Sequence, residues 1–236
     1  MNRMKKLLYI LFIGPFCILS MLSVIYLLSR EEPIFFLQDI KVNGLHQLGD
    51  KEMVGKITPF LKESILKIDV VKVREAITSH PFVKEVRVKR IYPFSIVIDI
   101  KEKTPSALWI TGDGKVHVLD EQGEPYRTMG KDDVEDLFIV NTKERLDAKN
   151  VFNEASSWIT SDILQKGQLS EVAFQEGTMT IFFIEDGVEI ILGKEEYTER
   201  LKKALAVLED ARKRGLLIKC IDARFEKGAI IQERKG

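Results

Sequence analysis

The chain has 236 residues, with 36 Lys and Arg against 36 Asp and Glu. A balanced charge excludes a strong nucleic-acid binder, which needs a basic surplus to neutralise phosphates. Two cysteines cannot build a disulfide framework or a cysteine-rich zinc site, and three histidines leave little for a His-based metal centre. No metal and no cofactor is therefore expected.

The zero is a sum of unlike segments. Residues 1–32 hold four basic and two acidic groups, residues 33–104 hold thirteen and nine, and residues 105–236 hold nineteen and twenty-five, giving +2, +4 and −6. From Leu7 to Leu28 there are 22 residues without a charge. As a helix at ~1.5 Å per residue they span roughly 33 Å, enough for the hydrocarbon core of a bilayer. The run is longer than the apolar core of a cleaved signal peptide, and Ser20-Met21-Leu22-Ser23 is a poor cleavage site. Arg3, Lys5 and Lys6 precede it. The expectation is a cytoplasmic stub (1–6), an uncleaved transmembrane helix (7–28) and an extracellular remainder.

Residues 33–104 read as strand, helix, helix, strand, strand. Ile40 and Val42 alternate with Lys41 and stop at Asn43-Gly44. Met53, Val54, Ile57, Phe60 and Leu61 recur at helical spacing, interrupted by Pro59. Asp69 is placed to cap a second helix with apolar face Val70, Val73 and Ile77, which His80-Pro81 ends. Val86 and Val88 alternate with Arg87 and Lys89 before the Tyr92-Pro93 turn. Phe94, Ile96, Ile98 and Ile100 then share one strand face. Helices on a small sheet give an α+β module of ~70 residues, large enough for its own core.

From 105 to 236 a second α+β domain with an antiparallel sheet is expected. Ala107–Ile110 and Lys115–Leu119 flank Thr111-Gly112-Asp113-Gly114, a hairpin signature. Leu137–Val140 is a short strand. Val151, Phe152, Ala155, Trp158, Ile159 and Ile163 mark an amphipathic helix. Leu169–Phe174, Thr178–Ile184 and Val188–Leu192 read as a meander. Tyr197, Leu201, Ala204, Leu205 and Leu208 mark a last helix, with Gly215 as its C-terminal cap. Leu216–Phe225 and Ala229–Gln232 read as a closing strand pair around Glu226-Lys227-Gly228.

The catalytic candidates are few. His117, Cys220 and Arg224 follow the order used by sortases, but Cys220 lies in Leu217-Ile218-Lys219-Cys220, an apolar alternation in which a free cysteine is a small core residue. His46 has no spaced ligand partners. Asp132-Asp133, Glu135-Asp136 and Glu195-Glu196 read as solvated charges, and no glycine pattern supports nucleotide binding. The basic run Lys84–Arg90 reads first as the solvated face of a strand. No enzyme is expected.

The order of motifs resembles one family. Phe36-Leu37-Gln38-Asp39-Ile40-Lys41-Val42-Asn43-Gly44 follows the apolar run. His80-Pro81-Phe82-Val83-Lys84-Glu85-Val86-Arg87-Val88-Lys89-Arg90 comes next, and then a strand ending Lys101-Glu102-Lys103-Thr104-Pro105-Ser106-Ala107-Leu108-Trp109. Together with Leu192-Gly193-Lys194 and Ile221-Asp222-Ala223-Arg224-Phe225, this resembles the DivIB/FtsQ family of bacterial cell-division proteins, with a POTRA domain and a C-terminal β-rich domain. Ala223 and Phe225 depart from the family's more usual Leu and Tyr. The resemblance implies a non-catalytic scaffold at the septum. Its implied partners are coiled-coil division proteins of the DivIC/FtsB and FtsL types, and indirectly the septal peptidoglycan synthase. A terminal strand is a sheet edge open to an added strand. The implied contact residues are Arg224, Phe225, Gly228, Ala229, Ile230 and Ile231, with Lys194 and Arg200 placed to meet an acidic partner group. The alternatives are a chaperone-like POTRA protein for secreted polypeptides and, more remotely, a sortase-like transpeptidase.

Overall fold

The structure, a computed structural model, describes residues 3–31, 37–60, 64–130 and 136–234; side chains at 3–11, 28–31 and 50–52 lie outside the description. Leu61, Asp132, Asp133 and Glu135 also fall outside it. The chain divides into two compact units, 1–102 and 103–236.

The first unit opens with α1 (Arg3–Glu31), which carries Pro15 and covers the uncharged run. Its described side chains extend only from residue 12 to residue 27. Among the described residues no helix is long and apolar enough to cross a membrane.

The rest of the unit is β1 (Asp39–Asn43), α2 (Asp50–Ile57) with a 3-10 turn at Thr58–Phe60, α3 (Val70–Thr78), β2 (Val83–Ile91) and β3 (Ser95–Glu102). This is the expected β-α-α-β-β order. Strand β3 lies in the middle of the sheet, antiparallel to β2 and parallel to β1. The alternation on β3 does what its pattern predicts: Ile96, Ile98 and Ile100 are buried and pack with Met53, Ile57, Val73 and Ile77 from the helices. Asp69 caps α3 by accepting from the backbone N–H of Val71 at 2.9 Å. Pro59 limits α2, since it has no N–H to continue the ladder. Gly44 ends β1 at φ +84°, where a Cβ would stand 2.0 Å from the Ile100 carbonyl oxygen, so only glycine fits.

The second unit contains β4 (Ala107–Ile110), β5 (Val116–Leu119), β6 (Pro125–Thr128), β7 (Ile139–Thr142), α4 (Arg145–Thr160), β8 (Leu169–Gln175), β9 (Thr178–Phe183), β10 (Glu189–Gly193), α5 (Tyr197–Lys213), β11 (Ile218–Asp222) and β12 (Ile230–Glu233). Among the described residues these strands form one nine-stranded sheet in the order β12-β11-β10-β9-β8-β7-β4-β5-β6. The expected antiparallel sheet is corrected here to a mixed one, because β4–β7, β7–β8 and β10–β11 are parallel pairs. The reason is connectivity. Helix α4 carries the chain from β7 to β8, and α5 carries it from β10 to β11. A helical crossover returns the chain in the same direction, whereas a tight turn reverses it. Strand β6 was not anticipated; Pro-Tyr-Arg-Thr is too short and too polar to stand out, and its leading proline is tolerated because β6 is an edge.

The core is one cluster between helices and sheet, with Trp158, Leu201, Ala204, Ile181, Ile190 and Ile221 fully buried. Trp158 is wholly enclosed and donates its Nε1–H to the Thr198 hydroxyl at 2.9 Å, tying α4 to α5. Trp109 on β4 donates to the Thr142 carbonyl at 3.1 Å, bracing the β4–β7 pair.

One carboxylate holds the first unit's loop. Glu102, nearly buried at the end of β3, accepts the backbone N–H groups of His46, Gln47 and Leu48 at 2.9, 2.8 and 3.1 Å. Burial alone pushes its carboxyl up, but the three N–H bonds outweigh it and hold the group below its ordinary 4.5. A depressed folded-state value means the stabilisation is present above the unfolded value and fades as pH falls through the folded one. Glu102→Ala is expected to destabilise the first unit by about 1–3 kcal/mol at pH 7, since three backbone donors lose their acceptor and that of Leu48 is buried. In urea titrations followed at several pH values, the gap between wild type and Glu102→Gln should narrow below pH 4.5.

Candidate functional site

Strand β12 is the last strand of the sheet order and, among the described residues, has a neighbour on one side only. It runs antiparallel to β11, pairing Ile230 with Asp222, Ile231 with Ile221 and Gln232 with Cys220. All four of its residues are exposed, Ile230 at 59% and Ile231 at 37%. Two branched apolar side chains on an open strand edge are unusual, because an edge is a template for another strand and soluble proteins normally blunt it.

The expected residues gather around this edge. Ala229, half-buried, packs against the core and seats the start of β12. Gly228 lies in the connecting turn, and Phe225 in that turn is 46% exposed. Lys203 on α5 holds the turn by donating to the Phe225 and Glu226 carbonyls at 3.1 and 2.8 Å. The turn is thereby tied to a helix, a contact that sequence reading missed because it crosses 22 residues.

Arg224 is exposed but folds back on its own strand end. Its Nε donates to Asp222 at 2.9 Å and its Nη2 at 2.6 Å. The Arg224 guanidinium holds the Asp222 carboxyl below its ordinary value, so the pair stays ionised.

Lys194 and Arg200 differ in kind. Lys194 is exposed, and its carbonyl accepts the Tyr197 hydroxyl at 2.7 Å. The Arg200 side chain is only 14% exposed. It donates from Nη1 to the Leu192 carbonyl at 2.9 Å and sits 3.8 and 3.6 Å from Glu195 and Glu196. Gly193, at φ +87°, makes room for it: a Cβ there would stand 2.8 Å from Arg200 Nη1 and 3.0 Å from Arg224 Cγ. Gly193 therefore lets two arginines lie over the end of β10, which ties Leu192-Gly193-Lys194 to Arg224 in space.

The structure does not bring together the sortase-like set. His117 lies on β5 and Cys220 on β11, with β10, β9, β8, β7 and β4 between them. Six strand spacings of ~4.8 Å put them about 29 Å apart. Burial, with Glu189 and Asp222 nearby, pushes the Cys220 thiol up, although Lys219 and Arg224 oppose this. A raised value keeps it a thiol at neutral pH, the opposite of an activated nucleophile. His80 is an almost buried helix-end residue whose Nδ1 accepts from Phe82 N–H at 3.3 Å. Arg87 and Lys89 share their sheet face with Glu85 and Asp99, at 3.0 and 3.8 Å.

Two family models match this chain. One, described as POTRA domain, FtsQ-type, covers residues 35–103. The other, described as Cell division protein FtsQ/DivIB, C-terminal, covers residues 107–224. Among similar proteins, cell division protein FtsQ of Myxococcus fulvus is 26% identical over 206 residues, 82% of this chain and 71% of that protein. The FtsQ of a Geobacter species (strain M21) is 23% identical over 221 residues, 89% and 80% of the two chains. That of Alcanivorax borkumensis is 21% identical over 233 residues, 94% and 85%. The second family model stops at Arg224, so β12 lies beyond it.

The inward turn of Arg200 generates a contrast with Lys194. Arg200→Ala should destabilise the second unit by about 1.5–3 kcal/mol, because it removes a charge-assisted bond to a backbone carbonyl. Lys194→Ala should stay within about 0.5 kcal/mol of wild type, as exposed substitutions do. Chemical denaturation of the two variants checks both.

Proposed function

The chain belongs to the FtsQ/DivIB family of cell-division proteins, and we propose that it acts as a membrane-anchored, non-catalytic scaffold whose β12 edge captures a strand from a partner in the division apparatus. The observation that carries this reading is the open edge: Ile230 and Ile231 exposed on a strand with one neighbour among the described residues, beside the exposed Phe225. An added strand would satisfy the free N–H and C=O groups of β12 and bury these three side chains. Main-chain pairing supplies affinity, and alternate side chains supply specificity.

The partners this reading assigns are the extracellular ends of coiled-coil division proteins of the DivIC/FtsB and FtsL types, acting with the septal peptidoglycan synthase. The anchor is the uncharged run Leu7–Leu28. Its support is length, the absence of charge and the basic residues Arg3, Lys5 and Lys6 on one side. On this reading residues 1–6 are cytoplasmic and the two units, approximately 33–104 and 105–236, lie outside at the septum.

Ile230→Pro removes a backbone N–H and fixes the strand's φ. It is expected to weaken capture of the partner ectodomains at least about ten-fold, or about 1.4 kcal/mol. Circular dichroism and the unfolding transition of the first unit should be unchanged. Capture at the wild-type level with correctly folded Ile230→Pro would sink the edge-pairing reading. The same variant in cells should reduce co-localisation of the partners at the septum.

A further inference from the structure

The turn that joins β2 to β3 presents a second exposed apolar group, unrelated to the β12 edge. Ile91 is 49% exposed and Tyr92 61%, and Pro93 is exposed as well. Residues of this kind at a loop tip serve no core. Their position explains more than their composition does. Ile91 pairs with Ser95 on β3, and Ser95 also faces Asp39, the first residue of β1. The backbone N–H groups of Gln38 and Asp39 donate to the Phe94 carbonyl at 2.9 and 3.3 Å. The hairpin tip is thus hydrogen-bonded to the point where the chain enters the unit from α1.

Covalent geometry then limits how far the tip can stand from the end of that helix. Seven Cα-to-Cα steps lead from Glu31 to Gln38, and a chain reaches at most ~3.6 Å per step, so the limit is about 25 Å whatever the linker's conformation. The linker joins the sheet at this end, and the opposite end, at Asn43 and Lys101, lies about 20 Å along β3 from Ser95. Of the two ends of this sheet, the one to which the chain from α1 attaches carries the exposed Ile91 and Tyr92.

Resting on the anchor reading above, we propose that the Ile91-Tyr92-Pro93 tip inserts into the lipid headgroup region beside the transmembrane helix and orients the first unit on the membrane. A tyrosine suits that depth, with an apolar ring and a polar hydroxyl, and aromatic residues concentrate at bilayer interfaces. Lys89 and Lys41, both exposed, lie across the same sheet face from each other through Val97 and can reach lipid phosphates. Asp39 lies closer to the tip than either lysine. That mixed charge makes the apolar tip, and not a purely electrostatic patch, the element that selects lipid.

The test uses the full chain in vesicles of phosphatidylethanolamine and phosphatidylglycerol. Tyr92→Trp preserves the interfacial chemistry, and Lys101→Trp marks the far end of β3. The natural Trp109 and Trp158 are buried in the second unit and give a constant background measured in the wild type. Lipids brominated near the glycerol end should remove about half of the added emission at position 92, since interfacial segments sit roughly 5–10 Å into the headgroup and acyl boundary. They should leave position 101 unquenched. Flotation with the vesicles after a carbonate wash reports the anchor separately. A chain that floats but shows no quenching at 92, or equal quenching at 92 and 101, overturns the tip proposal and leaves the anchor standing. A chain that fails to float removes the anchor and this proposal together.

Discussion

A sheet that does not close must end twice, and at each end a row of backbone donors and acceptors lacks a neighbour. The second unit treats its two ends differently. At one end β6 begins with Pro125, which has no N–H to offer, and its Tyr126 is buried. At the other, β12 lacks proline and shows Ile230 and Ile231. The strand is only four residues long and is followed by Arg234, whose backbone N–H donates to the Leu217 carbonyl at 2.7 Å. A template of that length suits a short added strand and disfavours runaway edge-to-edge pairing.

The edge is useful only if it is held still, because ordering a loose strand would consume the energy gained on binding. Three contacts hold it. Ala223 N–H donates to the Ile191 carbonyl at 2.9 Å, extending the parallel β10–β11 pair past its last register position. Lys203 clamps the two carbonyls of the turn. Ala229 packs on the core. All three depend on α5 being the crossover between β10 and β11, since that crossover makes the two strands parallel neighbours and leaves β12 outermost.

The parts of this fold legible in sequence are those with local causes. The alternation of Ile96, Ile98 and Ile100, the Asp69 cap and the helical faces of α4 and α5 were all readable, because period and capping act within a few residues. The motif order carries the family to which the chain belongs. Strand direction was not readable as a meander-like list, although the strand-helix-strand runs at β7–α4–β8 and β10–α5–β11 carried the signal for parallel pairs. Of the residues proposed for binding, Arg224 to Ala229 form the connection into β12 and Ile230 and Ile231 open that strand, a grouping that chain continuity alone provides. The roles of single charges were not legible, because Arg200 and Lys194 look alike in sequence. Gly193 turns one onto the Leu192 carbonyl and leaves the other in solvent.

That distinction bears on what kind of recognition the edge supports. The nearest strong cation, Arg224, is neutralised by Asp222, and Arg200 is occupied by Leu192, Glu195 and Glu196. The apolar groups facing outward are Phe225, Ile230 and Ile231, beside the exposed Gln232 and Glu233 of β12. On the proposed reading the excess of six acidic groups over residues 105–236 would act mainly at a distance, on encounter rates and on the choice between differently charged partners. Stability of the complex would come from strand pairing and buried apolar surface, terms that salt screens little. On the proposed reading the two tasks would be separate: the field of the domain would select what approaches, and the last strand would decide what stays.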